Sequence, residues 1–75
     1  VIQVDVHLLS GLEINRFNNR RIPLDEPATV FSLLDSLELS SGHIGAVYVN
    51  RKASNFEHLL KDGDRVTLMS DIIGG

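Results

Sequence analysis

The sequence contains no cysteine, which excludes disulfides, thiolate catalysis and cysteine-based metal sites together. The same absence fits a reducing cytoplasm. No apolar run approaches the length needed to cross a bilayer. No basic, apolar, small-residue leader opens the sequence, so secretion has no support and a cytoplasmic location is expected. Surplus positive charge is missing too: the net charge is −3, so no global field favours nucleic acid. Arg16, Arg20 and Arg21 form a local basic cluster around Asn18-Asn19. It reads as a solvated hairpin tip, with an acidic partner as the alternative. Internal repeats, linkers and low-complexity segments are absent as well.

What is present is one small domain. Seventy-five residues, 43% hydrophobic and 23% charged, describe a folded chain rather than a disordered one. A domain of this size buries roughly 60% of its unfolded surface, so a single core is expected. Ile2, Val4, Val6 and Leu8 alternate with Gln3, Asp5 and His7, the period of a half-buried strand. Ser10-Gly11 interrupts it, and Asn18-Asn19 can supply the positive φ of a tight turn. A second strand over residues 20–24 completes a hairpin, and Pro23 places it at a sheet edge because proline cannot donate to a ladder.

Thr29 is positioned to cap a helix. Val30, Leu33, Leu34 and Leu37 recur at i, i+3, i+4 and i+7, which predicts a helix near residues 30–38 with one apolar stripe. Ser40-Ser41-Gly42 is expected to end it through the glycine. Residues 46–49 read as a third strand stopped by Asn50-Arg51. Residues 55–60 read as a short helical turn burying Phe56 and Leu59 or Leu60. A turn at Lys61-Asp62-Gly63-Asp64 precedes a last strand, residues 65–69, with Val66 and Leu68 inward. Hairpin, helix and returning strands make an α+β fold of β-grasp, or ubiquitin-like, topology, with one main helix on a mixed sheet of four to five strands.

After the last strand come Asp71-Ile72-Ile73-Gly74-Gly75. The expected division is a domain over residues 1–70 and a flexible tail over 71–75, mobile because it lacks a strand partner. Five extended residues reach about 16 Å, enough to enter a partner's cleft. Glycines fit where a Cβ would clash. A terminal carboxylate is an anion at pH 7, and a poor electrophile until its oxygen becomes a leaving group, as in an acyl-adenylate. His7, His43 and His58 lack metal-ligand spacing. Neither a glycine-rich phosphate loop nor a Ser-His-Asp order is present, so activation chemistry has to come from a partner, with no metal or cofactor held by this chain.

The stretches Ala28-Thr29-Val30 to Leu37, Val47-Tyr48-Val49-Asn50 and His58-Leu59-Leu60-Lys61-Asp62-Gly63-Asp64-Arg65-Val66, with Gly74-Gly75 about ten residues later, resemble the sulfur-carrier family. That family includes the molybdopterin synthase small subunit and the thiamine-biosynthesis sulfur carrier. The resemblance implies a non-catalytic carrier. An adenylating enzyme of the ubiquitin-activating type would use ATP to activate the Gly75 carboxylate. A sulfurtransferase would convert it to a thiocarboxylate, and a pterin- or thiazole-forming synthase would receive the sulfur. Gly74, Ile73 and Ile72 would then be the tail residues a partner recognises. The extended first hairpin resembles the molybdopterin type more than the compact thiamine type, although the prolines common before the tail in the former are replaced here by Met69-Ser70-Asp71-Ile72-Ile73.

If Val47, Val49, Val66 and Leu68 face the helix, then His7, Tyr48 and Met69 share the opposite sheet face, which is expected to be the partner-docking surface. Two other readings stay open. One is a ubiquitin-like modifier conjugated through Gly75; the other is a β-grasp interaction domain with an inert tail.

Overall fold

The alternating pattern at the start of the chain becomes the centre of the sheet. In the computed structural model, which describes residues 1–71, β1 (Ile2–Leu9) is followed by β2 (Asn19–Leu24), α1 (Val30–Ser36) and a 3₁₀ turn at Ser41–His43. Then come β3 (Ile44–Val49), β4 (Lys52–Ala53) and β5 (Arg65–Ser70). The sheet order is β2-β1-β5-β3-β4. The first and last strands run parallel side by side in the middle, and the other pairs are antiparallel. This is the β-grasp arrangement. Pro23 sits on the edge strand β2, opposite Gln3, where its missing N–H leaves no ladder bond unmade.

Three strands each give one set of alternate residues to the core: Ile2, Val4, Val6 and Leu8 of β1, Ile22 and Leu24 of β2, Val66 and Leu68 of β5. Val30, Leu33 and Leu34 of α1 join them in one apolar cluster. In β3 the alternation slips. Ile44, Val47 and Val49 are buried, and the register steps from Ile44↔Ser70 to Ala46↔Met69, so Gly45 is the extra residue of a β-bulge.

Thr29 caps α1 through a capping box: the Ser32 N–H donates to Thr29 Oγ1 at 3.2 Å, and the Thr29 N–H donates to Ser32 Oγ at 3.0 Å. The helix ends two residues earlier than the sequence predicts. Leu37 is its C-cap and only partly buried, and Glu38, not Gly42, adopts the left-handed conformation at φ 57°. The Leu39 N–H reaches the Leu34 carbonyl and the Glu38 N–H reaches that of Asp35, a Schellman closure with glutamate in the position glycine usually takes. Buried Leu39 secures it. Ser40 instead caps the 3₁₀ turn, accepting from the Gly42 N–H.

Two further expectations are corrected and one is extended. Asn18-Asn19 does not form a tight turn; residues 10–18 are a longer loop whose positive φ values fall on Ser10, Gly11 and Asn15, tied down by buried Leu12. Asn50-Arg51 ends the third strand at Val49, as the sequence predicts, and also folds the chain back. Both residues have positive φ, 53° and 72°, and pair β3 with the unforeseen two-residue β4, as a primed hairpin turn requires. Residues 55–60 form a turn stabilised by the Asn55 side chain, which accepts from the Glu57 N–H, rather than a helical segment. There Leu60 is buried, Leu59 is exposed, and Phe56 stacks on Phe31 with ring centroids 5.1 Å apart. This segment also serves the helix, because the His58 and Phe56 carbonyls accept from the otherwise unpaired N–H groups of Val30 and Phe31.

Candidate functional site

The face of the sheet away from α1 is built by register. His7 pairs with Thr67, which pairs on its other side with Tyr48. One row further along, Leu9, Met69 and Ala46 align in the same way. His7, Tyr48 and Met69 therefore lie on one face across β1, β5 and β3, with Thr67 between His7 and Tyr48. Tyr48 is 36% exposed and Leu9 44% exposed, while His7 and Met69 are half-buried. Leu9 and Ala46 complete an apolar row that the sequence reading did not include. Leu9 was legible as one more odd-numbered position of β1, had the strand been carried one residue past Leu8. An apolar row beside a polar one is the composition of an interface patch rather than of a fully solvated sheet face.

That apolar row lies at the end of β5 from which the tail departs. The tail was expected to lack a strand partner from Asp71 onward. Asp71 lies outside β5, but its backbone N–H still has a partner: it donates to the carbonyl of His43, in the 3₁₀ turn, at 3.1 Å. The expectations for Ile72, Ile73, Gly74 and Gly75 lie outside the described residues.

The Asp62-Gly63-Asp64 run has a structural purpose at the opposite end of β5. Asp62 Oδ1 accepts from the Gln3 N–H at 2.8 Å, the Gly63 N–H donates to the Gln3 carbonyl at 2.8 Å, and the Asp5 N–H donates to the Asp64 carbonyl at 2.8 Å. Asp64 also accepts from Asn50 Nδ2 and from the Lys61 N–H, while Asn50 Oδ1 accepts from the Arg65 N–H. Gly63 needs its freedom for a φ of 87°. The motif thus locks β5 into parallel register with β1.

The arginine cluster is used locally. Arg16 donates to the Leu12 carbonyl, Arg20 lies 4.7 Å over the Phe17 ring, and Arg21 pairs with Asp5 at 3.3 Å. Among the described residues, no group of three His, Asp or Glu side chains could hold a metal ion, and no helix is long and apolar enough to cross a membrane.

Solved structures of similar shape come from three directions. A Pyrococcus furiosus protein described as subunit 1 of a molybdopterin converting factor superimposes with a TM-score of 0.79 at 19% identity, over 96% of this chain and 100% of its own. SAMP1 of Haloferax volcanii gives 0.76 at 24% identity, over 97% and 99%. The chain matched in a complex of subunits 1 and 2 of molybdopterin-converting factor from Helicobacter pylori gives 0.67 at 22% identity, over 99% and 100%. At these identities the likeness establishes the fold. A comparison with curated proteins gave no significant match. Residues 12–75 match the family model described as the ThiS family. The match takes in α1, both sides of the tail exit and the Asp62-Gly63-Asp64 clamp, and the chain belongs to that family, as its resemblance to sulfur carriers implied.

Proposed function

We propose that this chain is a sulfur carrier working through the carboxylate of Gly75. The observation that carries the reading is membership of the ThiS family by a sequence closing on Gly74-Gly75. In the proposed cycle a carboxylate oxygen of Gly75 attacks the α-phosphorus of ATP in an adenylating partner, and pyrophosphate leaves. The terminal sulfur of a sulfurtransferase persulfide then attacks the acyl carbon and expels AMP. A thiol cleaves the resulting S–S bond, leaving a thiocarboxylate. Beyond the reacting carboxylate of Gly75 itself, the chain contributes no acid, base or nucleophile to these steps, so it acts as a small non-catalytic subunit. Its residues present the carboxylate and dock the partner.

The docking surface in this reading is His7, Tyr48 and Met69 with Leu9, while Ile72, Ile73 and Gly74 thread the partner's cleft. The working parts divide into the domain, residues 1–70, and the tail, 71–75. The receiving enzyme is a pterin-forming synthase in preference to a thiazole-forming one; the likeness to subunit 1 of the Helicobacter pylori complex supports that choice. The setting is the cytoplasm, where a carrier without cysteine holds sulfur on carbon alone.

The likeness to SAMP1, a small archaeal modifier protein, supports a second reading in which activated Gly75 acylates a lysine amine of another protein. Intact mass of the chain isolated from its native cells separates the two. The carrier gains the mass difference of one sulfur for one oxygen, and the modifier appears in larger covalent species. ATP–pyrophosphate exchange with the cognate adenylating enzyme tests the step both share. Exchange by the intact chain that disappears on deletion of Gly75 supports them, and equal exchange by the shortened chain overturns them.

A further inference from the structure

Gly45 occupies an exposed position in β3 where backbone angles do not demand glycine: the positive-φ glycines among the described residues are Gly11 and Gly63. Space demands it instead. A Cβ built on Gly45 would lie 2.7 Å from the Asp71 Cα, 3.0 Å from the Ser70 carbonyl oxygen and 3.1 Å from the Asp71 Cβ. Two of these neighbours are backbone and the third is the first side-chain atom, so no flexible side-chain end can yield. The same bulge lies next to His43, whose carbonyl accepts the Asp71 N–H. One contact thus holds Asp71 by its amide, and the other gives its Cα a flat seat. Gly42, two residues beyond the 3₁₀ cap, has no such crowding; a Cβ there would meet Ser40 Oγ at 3.6 Å, an ordinary contact.

We propose that Gly45 is a positioning residue for the tail. With the His43 carbonyl it fixes the direction in which the chain leaves the sheet at Asp71, and so aims the Gly75 carboxylate while the sheet face docks the partner. Four residues separate Asp71 from Gly75 inclusive of the latter, a reach of about 13–14 Å when extended. The carboxylate can be placed only within that reach of Asp71, so the exit at Asp71 decides which part of a docked partner it can enter, and misplacement by about 1 Å can already cost two orders of magnitude in a positioned reaction. This role rests on the carrier reading, or on its modifier variant, since both require the carboxylate to be aimed.

The test compares Gly45→Ala with Gly42→Ala in the full chain, using hydrogen exchange of the Asp71 amide and ATP–pyrophosphate exchange with the cognate adenylating enzyme. Gly45→Ala is expected to keep the strand amides protected and to lose protection at Asp71. In the enzymatic assay kcat should fall at least tenfold while KM for the carrier stays within about twofold, because the docking face is untouched. A merely structural role would instead lower the melting temperature and deprotect the whole sheet. Asp71→Pro, which removes the donated N–H without altering Gly45, should reproduce the kcat loss even if Gly45→Ala fails to fold, and Asp71→Ala, which keeps the N–H, should not. Unchanged Asp71 protection and unchanged kcat in Gly45→Ala or, where that chain does not fold, unchanged kcat in Asp71→Pro would overturn the role while leaving the carrier reading standing. An intact chain that supports no exchange overturns both.

Discussion

The two ends of β5 are held in different ways. At its start, Asp62, Asp64 and Asn50 join β5, β1 and the β3–β4 turn through side-chain hydrogen bonds, and Gly63 adds a backbone one to Gln3. At its finish, Asp71 is held by one backbone hydrogen bond and by the absence of a side chain on Gly45. The first kind of attachment resists unfolding. The second costs little to break, and in the proposed role it sets the direction in which the chain leaves the sheet at Asp71. The proposed carrier function would separate these tasks, because its tail would enter partners while the domain stays folded.

Leu68, in the middle of the strand and fully buried, sets the scale for attempts to break this comparison. Leu68→Ala, like Leu34→Ala in the helix, is expected to lower stability by about 2–5 kcal/mol in urea denaturation, since each leaves a cavity in a small core. A loss below about 0.5 kcal/mol would show that the core is not where the strand alternation puts it.

Asp64→Ala should cost about 1–2 kcal/mol, because two donors lose a charged acceptor in a half-exposed site. A double-mutant cycle with Asn50→Ala should show a coupling of about 0.5–1.5 kcal/mol. Strict additivity would mean that the start of β5 is not the connected network its geometry describes.

Gly45→Ala should cost less than Asp64→Ala. Losing one hydrogen bond takes away about 0.5–1.5 kcal/mol, and replacing glycine by alanine in a strand returns about 0.5–1 kcal/mol of chain entropy. Thermal denaturation showing a loss above about 2 kcal/mol would make the end of β5 as structural as its start. The smallest effect is expected at Arg21→Ala, within about 0.5 kcal/mol, because its pair with Asp5 is solvent-exposed. A larger loss would give surface charge a share in holding the sheet that hydrogen bonding now accounts for.

The same contrast explains what could be read in advance. The first hairpin pairing, the Thr29 cap, the apolar stripe of α1, the edge position of Pro23 and the inward set of β5 are all local patterns, and each is found where the sequence places it. Gly42 looked like the helix terminator because glycine usually takes that position, yet burial of Leu39 sets the closure and leaves Glu38 in the left-handed conformation. β4 escaped notice because two residues carry no period. At the candidate site, His7, Tyr48 and Met69 could be placed on one face from strand alternation alone. The Gly45–Asp71 seat could not, since it depends on a bulge and on a contact between residues 26 positions apart in sequence.

The parallel pairing of β1 with β5 has a consequence for biosynthesis. β1 is made well before its central neighbour β5, so the middle of the sheet closes only across the hairpin, helix and strands that lie between them. Such long-range closure is slow compared with local pairing. Until β5 arrives, Val4, Val6 and Leu8 have no second strand beside them, and a chain arrested earlier offers an open edge to proteases and aggregation.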